Sequence, residues 1–108
     1  MKSFDKVFIW IDDERKIDFT RVPKGMEVIH VKSYKEAIET LQFFINSNSK
    51  LIVDFDHDLG CKKTGYDIAK WIISSGYSNI QFKIHSMNPV GAQNIREILS
   101  HYGYEEIV

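Results

Sequence analysis

Three short apolar runs in this chain each end in a cluster of ionisable or hydrogen-bonding residues, and this repetition limits the possible folds more than any other feature. Val7-Phe8-Ile9-Trp10-Ile11 runs into Asp12-Asp13-Glu14, and Leu51-Ile52-Val53 leads to Asp56-His57-Asp58-Leu59-Gly60. Ile80-Gln81-Phe82-Lys83-Ile84 runs into His85-Ser86-Met87-Asn88-Pro89. Short runs rich in β-branched and aromatic residues, closed by polar groups, read as buried strands. In a parallel α/β sheet the carboxyl ends of the strands share one edge, and ligands bind in the crevice there. The three clusters therefore point to a single site.

The segments between these runs supply the helices. Residues 14–25 lack helical periodicity and contain Pro23-Lys24-Gly25, so they read as a loop before a second strand over 26–31. Ser33 and Glu36 form a capping-box pattern, and Tyr34, Ala37, Ile38, Leu41, Phe44 and Ile45 follow at helical spacing until Asn46-Ser47-Asn48-Ser49. Gly65 opens a second helix with Ile68, Ala69, Ile72 and Ile73 on its apolar face, stopped by Ser75-Gly76. Asn88-Pro89 is a helix start with a capping residue and Pro at the first position. Ile95, Ile98, Leu99 and Tyr102 mark that helix's buried face, Gly103 ends it, and 104–108 is a short last strand. The expected order is β-β-α-β-α-β-α-β.

A chain of 108 residues suits one domain with its own core. Fourteen basic residues against fifteen acidic ones give a formal net charge of -1, so no global field draws the chain to bulk double-stranded nucleic acid or an anionic membrane. A bound phosphate must be held locally. The single Cys61 rules out an internal disulfide and a cysteine-based zinc site, and it suits a reducing, cytoplasmic compartment. No apolar run is long enough for a membrane span, and Met1-Lys2-Ser3-Phe4-Asp5 lacks the apolar stretch of a signal peptide.

The pattern resembles the receiver domain of two-component signalling. That resemblance implies a flavodoxin-like α/β sandwich with a five-stranded parallel sheet in the order 2-1-3-4-5. It also implies a divalent cation held by an acidic pair after the first strand and an aspartate after the third, places taken here by Asp12-Asp13 and Asp56. Ser86 stands where receivers carry a small hydroxyl residue, and Thr64-Gly65 matches the start of the helix after the acidic loop. The chain departs from receivers where a loop replaces the first helix, where no lysine follows the last strand, and where the final helix is expected to be absent. His57, Asp58 and His85 are additional to the receiver pattern. With them, Trp10-Ile11-Asp12-Asp13-Glu14-Arg15, Asp56-His57-Asp58-Leu59-Gly60 and His85-Ser86-Met87-Asn88-Pro89-Val90-Gly91 resemble a divergent group, the cyclic-phosphate-processing receiver-like domains.

That resemblance implies chemistry on a small phosphate-containing ligand, either a cyclic nucleotide or a 2′,3′-cyclic-phosphate RNA end. Hydrolysis of a phosphodiester requires charge neutralisation on the non-bridging oxygens, deprotonation of a water and protonation of the leaving oxygen. Asp12, Asp13, Asp56 and Asp58 offer carboxylate oxygens to Mg²⁺ or Mn²⁺. Histidine is the side chain suited to proton transfer near neutral pH, so His57 and His85 are candidates for base and acid, beside Asp56. Ser86, Asn88, Gly91 and the amides of the helix start are candidate phosphate contacts, with Gly91 leaving the approach open. Arg15 is either a salt-bridge partner of the acidic pair or a phosphate clamp.

Blander readings accompany each residue. The Asp12-Asp13-Glu14 run also suits a solvated strand end, His85 a backbone cap, and Ser86 and Asn88 a turn and a helix cap. Cys61, beside Lys62 and Lys63, fits a free loop thiol better than a nucleophile, and His30 and His101 fit structural or surface positions. Trp10 and Trp71 fit core positions. Three functions remain open: a metal-dependent phosphoesterase, a module that binds a cyclic nucleotide without turnover, and a degenerate receiver acting through protein contacts. The sequence leaves open the oligomeric state and whether the source is bacterial or phage.

Overall fold

The computed structural model describes residues 5–107. Residues 1–4, most of the opening segment read against a signal peptide, and Val108, the expected end of the last strand, lie outside the described residues. The sheet contains β1 (Lys6–Ile11), β2 (Glu27–Val31), β3 (Lys50–Phe55), β4 (Ile80–Ile84) and β5 (Glu105–Glu106). All pairings are parallel and the order is β2-β1-β3-β4-β5, the order that the receiver resemblance implies. Helices α1 (Tyr34–Asn46), α2 (Gly65–Ser75) and α3 (Pro89–His101) make the crossovers.

Side-chain alternation divides the strands between two unlike layers. Val7, Ile9, Ile11, Leu51, Val53, Phe55 and Phe82 face the three helices and pack with Ala37, Leu41, Ile68, Ile72, Ile95 and Leu99 into the main core. Full burial of such aliphatic and aromatic side chains contributes about 1.5–3 kcal/mol each. Phe8, Trp10 and Ile52 face the other way and form a smaller cluster with Ile17, Val22, Met26, Val28 and Ile107. Ile17, Val22 and Met26 come from the loop that stands in place of a receiver's first helix. That loop includes a 3₁₀ turn, Phe19–Arg21, capped by Asp18. A few apolar side chains on irregular backbone thus do the covering work of a helix. No helix among the described residues is long and apolar enough to cross a membrane.

The helix ends follow local chemistry. Ser33 accepts the Glu36 amide, but the Glu36 carboxylate reaches one residue further back than the expected box and accepts from Lys32 N. A reciprocal capping box that the sequence reading passed over lies at Thr64 and Asp67. Gly76, at φ 73°, closes α2 in the left-handed region. Asn88 caps α3, and Pro89 takes its first turn. Tyr102, expected on the buried face of α3, is exposed, because the helix ends at His101 and Tyr102 is its C-cap.

Candidate functional site

The sheet fixes the backbone at the carboxyl edge. Parallel-ladder hydrogen bonds continue one residue beyond each of the three central strands. Asp12 N donates to Val31 O at 3.1 Å, Asp56 N to Ile11 O at 3.0 Å, and His85 N to Phe55 O at 2.9 Å. The first residue of each polar cluster therefore has its backbone held like a strand residue.

Their side chains converge. Ligand atoms of Asp12, Asp56 and His85 all lie within 4.8 Å of one another, the one such group among the described residues. Asp12 is buried; its Oδ1 accepts the Glu14 and Arg15 amides at 2.8 and 2.7 Å, while its Oδ2 faces Arg15 Nε at 3.1 Å and His85 Nε2 at 3.0 Å. Arg15 also donates from Nη2 to His85 O at 3.1 Å, and that nitrogen lies 3.9 Å from Asp56 Oδ1. The guanidinium thus spans the acidic pair.

His85 is held on three sides. Its Nδ1 lies 2.8 Å from Asp54 Oδ1, its Nε2 faces Asp12, and its ring stacks on Trp10 with centroids 3.8 Å apart and planes 4° from parallel. Trp10, buried as the sequence suggests, is also a wall of the site, and its Nε1 donates to Arg15 O. An imidazole with a carboxylate at each nitrogen either donates from both or turns one lone pair to a cation. His30, on β2, bonds the Asp12 carbonyl through Nε2 at 2.8 Å and supports the same corner.

A second group sits on the loop beside this one. His57 Nδ1 lies 3.0 Å from Asp58 Oδ1, and Asn88 Nδ2 donates to Asp58 Oδ2 at 3.3 Å. His57 Nε2 has no hydrogen-bond partner among the described residues. The ring lies against α3 at Gly91, where an added Cβ would fall 2.3 Å from His57 Cγ. The loop itself is clamped onto α2: Gly65 N donates to His57 O at 2.8 Å, and a Cβ at Gly65 would fall 2.1 Å from Asp56 O.

Electrostatics separate the three principal carboxylates. Burial acts to raise the pKa of Asp12, but hydrogen bonds from Arg15, Glu14 and His85, with the Arg15 charge, leave it below the ordinary value. Asp56 is pushed up, first by burial and then by the negative charge of Asp12, against opposition from His85, the His57 amide and Arg15. Asp58 is lowered, chiefly by its hydrogen bond with His57. The cavity at this edge has a volume of about 320 Å³ and is lined by Asp12, Glu14, Arg15, Asp56, Asp58 and Met87. A cavity of about 340 Å³ between α2 and α3, lined by Tyr66, Asn94, Glu97, Ile98 and His101, lies away from the strand ends and gathers no carboxylate cluster.

The geometry separates several of the expected site residues from the converging group. Asp13 is not in the converging group; Gly60, at φ 70°, packs against its carboxylate. Asp58, 66% exposed, bonds His57 and lines the same cavity as Asp12 and Asp56, but lies outside their converging group. Gly91 does not open a path to an anion, because the His57 ring fills the space and its own N–H donates to Asn88 Oδ1 at 2.9 Å. The Ala92 amide bonds Asn88 O, which also reduces the free donors at the start of α3. Ser86 Oγ accepts the Asn88 amide at 3.1 Å in a local turn. Asp54 and Arg21 were missed. Their one sequence signal is Asp54 itself, a charged residue inside the apolar strand 51–55; the sheet register places it beside Trp10.

A family model described as the cyclic-phosphate processing receiver domain matches residues 7–101. No curated protein and no solved structure gives a significant match to the chain.

Proposed function

The chain belongs to the family of cyclic-phosphate processing receiver domains, and we propose that it opens a cyclic phosphodiester by hydrolysis, assisted by a divalent cation. The convergence of Asp12, Asp56 and His85 on one point carries this reading. Two carboxylates and one imidazole fit a first-row divalent ion, and the nitrogen donor favours Mn²⁺ over Mg²⁺. When bound, the cation supplies positive charge for the non-bridging phosphate oxygens and acidifies water.

The protein's own groups provide the rest. Arg15, nearly half exposed at the cavity wall, presents guanidinium N–H groups to a phosphate oxygen while keeping its bond to Asp12. His57, with Nδ1 directed to Asp58 and Nε2 open, suits proton transfer at the ester oxygen that leaves. Water adds to phosphorus as one ring P–O bond breaks, and the departing oxygen takes its proton from His57 Nε2. The proton lost by water passes to solvent through the open cavity. The product is the ring-opened monoester. His85, engaged at both nitrogens, is reassigned from acid–base catalyst to ligand.

The test incubates the protein with Mn²⁺ or Mg²⁺ and a panel of cyclic mono-, di- and oligonucleotides and 2′,3′-cyclic-phosphate RNA ends, with products read by chromatography. A ring-opened monophosphate is expected from at least one member. Asp56→Ala and His57→Ala should each lose about 10²–10⁴-fold in turnover; full turnover by both variants would sink the reading. One observation favours a second reading. Arg15 already neutralises the acidic pair, an arrangement suited to a module that binds a cyclic nucleotide without cutting it. Intact ligand recovered after long incubation with metal would select that reading.

A further inference from the structure

The proposed chemistry gives no task to Asp54, a carboxylate with no solvent exposure one residue before the carboxyl end of β3. A buried carboxylate is costly unless it is paired and hydrogen-bonded. Arg21 supplies the pairing with a fork, Nε to Asp54 Oδ2 at 2.7 Å and Nη2 to Asp54 Oδ1 at 3.2 Å. Nη2 also donates to Ile84 O at 3.2 Å, so the same guanidinium holds the strand end from which His85 projects. Asp54 Oδ1 in turn bonds His85 Nδ1 at 2.8 Å, and Trp10 fixes the plane of the imidazole. Buried ion pairs of this kind are often no better for stability than apolar residues of similar volume. Three linked polar groups directly behind the site are better explained by what they do to the imidazole.

We propose that Asp54, oriented by Arg21, is a positioning residue that keeps a proton on His85 Nδ1 and aims Nε2 at Asp12, so that Nε2 is the nitrogen that gives up its proton to a bound cation. This rests on the cation site proposed above. It makes the loop that carries Arg21 part of the site's support, although no residue of the 3₁₀ turn reaches the cavity. A carboxylate behind a ligating histidine fixes its tautomer and raises its basicity, and loss of such a partner weakens metal binding about 10–100-fold.

The experiment titrates Mn²⁺ into the full chain by calorimetry, comparing wild type with Asp54→Asn and Arg21→Lys. It also records the side-chain ¹⁵N spectrum of His85 in the metal-free wild-type protein. Asp54→Asn should bind Mn²⁺ about 10–100-fold more weakly at unchanged stoichiometry, with Arg21→Lys, which keeps the charge and loses the fork, in between. The wild-type spectrum should show the proton on Nδ1. Absence of Mn²⁺ binding by the wild-type chain overturns the cation site itself. Wild-type binding that Asp54→Asn leaves within about threefold overturns only the role of Asp54. If Asp54→Asn does not fold, the Arg21→Lys titration and the ring spectrum decide, and an Nδ1 without a proton refutes the proposal.

Discussion

The two polar groups at the carboxyl edge are built on opposite physical terms. Asp12, Asp54, Asp56 and His85 are held by strand backbone, have little or no solvent exposure, and depend on one another and on two arginines for charge balance. His57, Asp58 and Asn88 sit on a loop and a helix cap, with Asp58 largely in water. The first group is rigid and nearly dry, as a cation site needs to be, and its integrity is tied to the fold. The second is reachable by solvent at Asp58, as proton transfer needs, and it borrows its rigidity from two glycines, Gly65 and Gly91. Mutations in the first group should therefore change stability along with function, and those in the second chiefly activity.

The largest effect should come from Asp54→Ala, which leaves Arg21 and His85 facing an unpaired buried position. A loss of about 3–5 kcal/mol is expected by urea denaturation, and a loss below the usual range for surface changes would mean the network is slack. Gly91→Ala comes next. The new methyl must displace the His57 ring, at an expected cost of about 1–3 kcal/mol together with loss of the turnover that depends on His57. Wild-type stability and turnover in this variant would show that the ring has another seat.

The acidic pair itself should respond with a sign set by its pKa shifts, read in chelator-treated protein. The folded-state pKa of Asp56 is raised by burial and then by Asp12, so the folded chain loses stability as pH rises from the ordinary carboxylate value through the raised one. Asp56→Asn lacks that loss and should be more stable than wild type at neutral pH, with the advantage fading in acid; a less stable variant at neutral pH contradicts the assignment. Asp12 behaves in the opposite sense. Its pKa is lowered because its hydrogen bonds outweigh burial, so its contribution is present above the ordinary carboxylate value and is lost as pH falls through the lowered one. The smallest stability effect belongs to Asp58→Asn, within about 0.5 kcal/mol. Even so, turnover should fall because the His57 ring loses its carboxylate. Unchanged kinetics would remove Asp58 from the site.

The same contrast explains what was legible in the sequence. The strands and their common edge could be read because apolar runs closed by polar clusters are local patterns, whereas the strand order came from the resemblance to receiver domains. The Asn88-Pro89 helix start was legible for the same reason. Asp54 was not, since a lone carboxylate in an apolar run does not say which face it takes or what covers that face. Its partner Arg21 comes from 33 positions away, on a loop without periodicity. Gly91 was read as room for an anion because nothing local shows that His57 packs there. Asp13 and Asp58 fall outside the converging group, which adjacency in sequence does not show because neighbouring side chains at a strand end can diverge.

The amides of Asp12, Asp56 and His85, each bonded into the sheet ladder, have a further consequence. Amides in such positions exchange with solvent only through large-scale opening. These three should retain deuterium as long as Ile9 or Val53 at the centre of the sheet, far longer than the loop amide of Asp58. The convergence of Asp12, Asp56 and His85 then has no partly melted form of its own: it exists when the domain is folded and disappears when the domain unfolds. Heat should abolish the proposed cation binding and the sheet structure at one temperature.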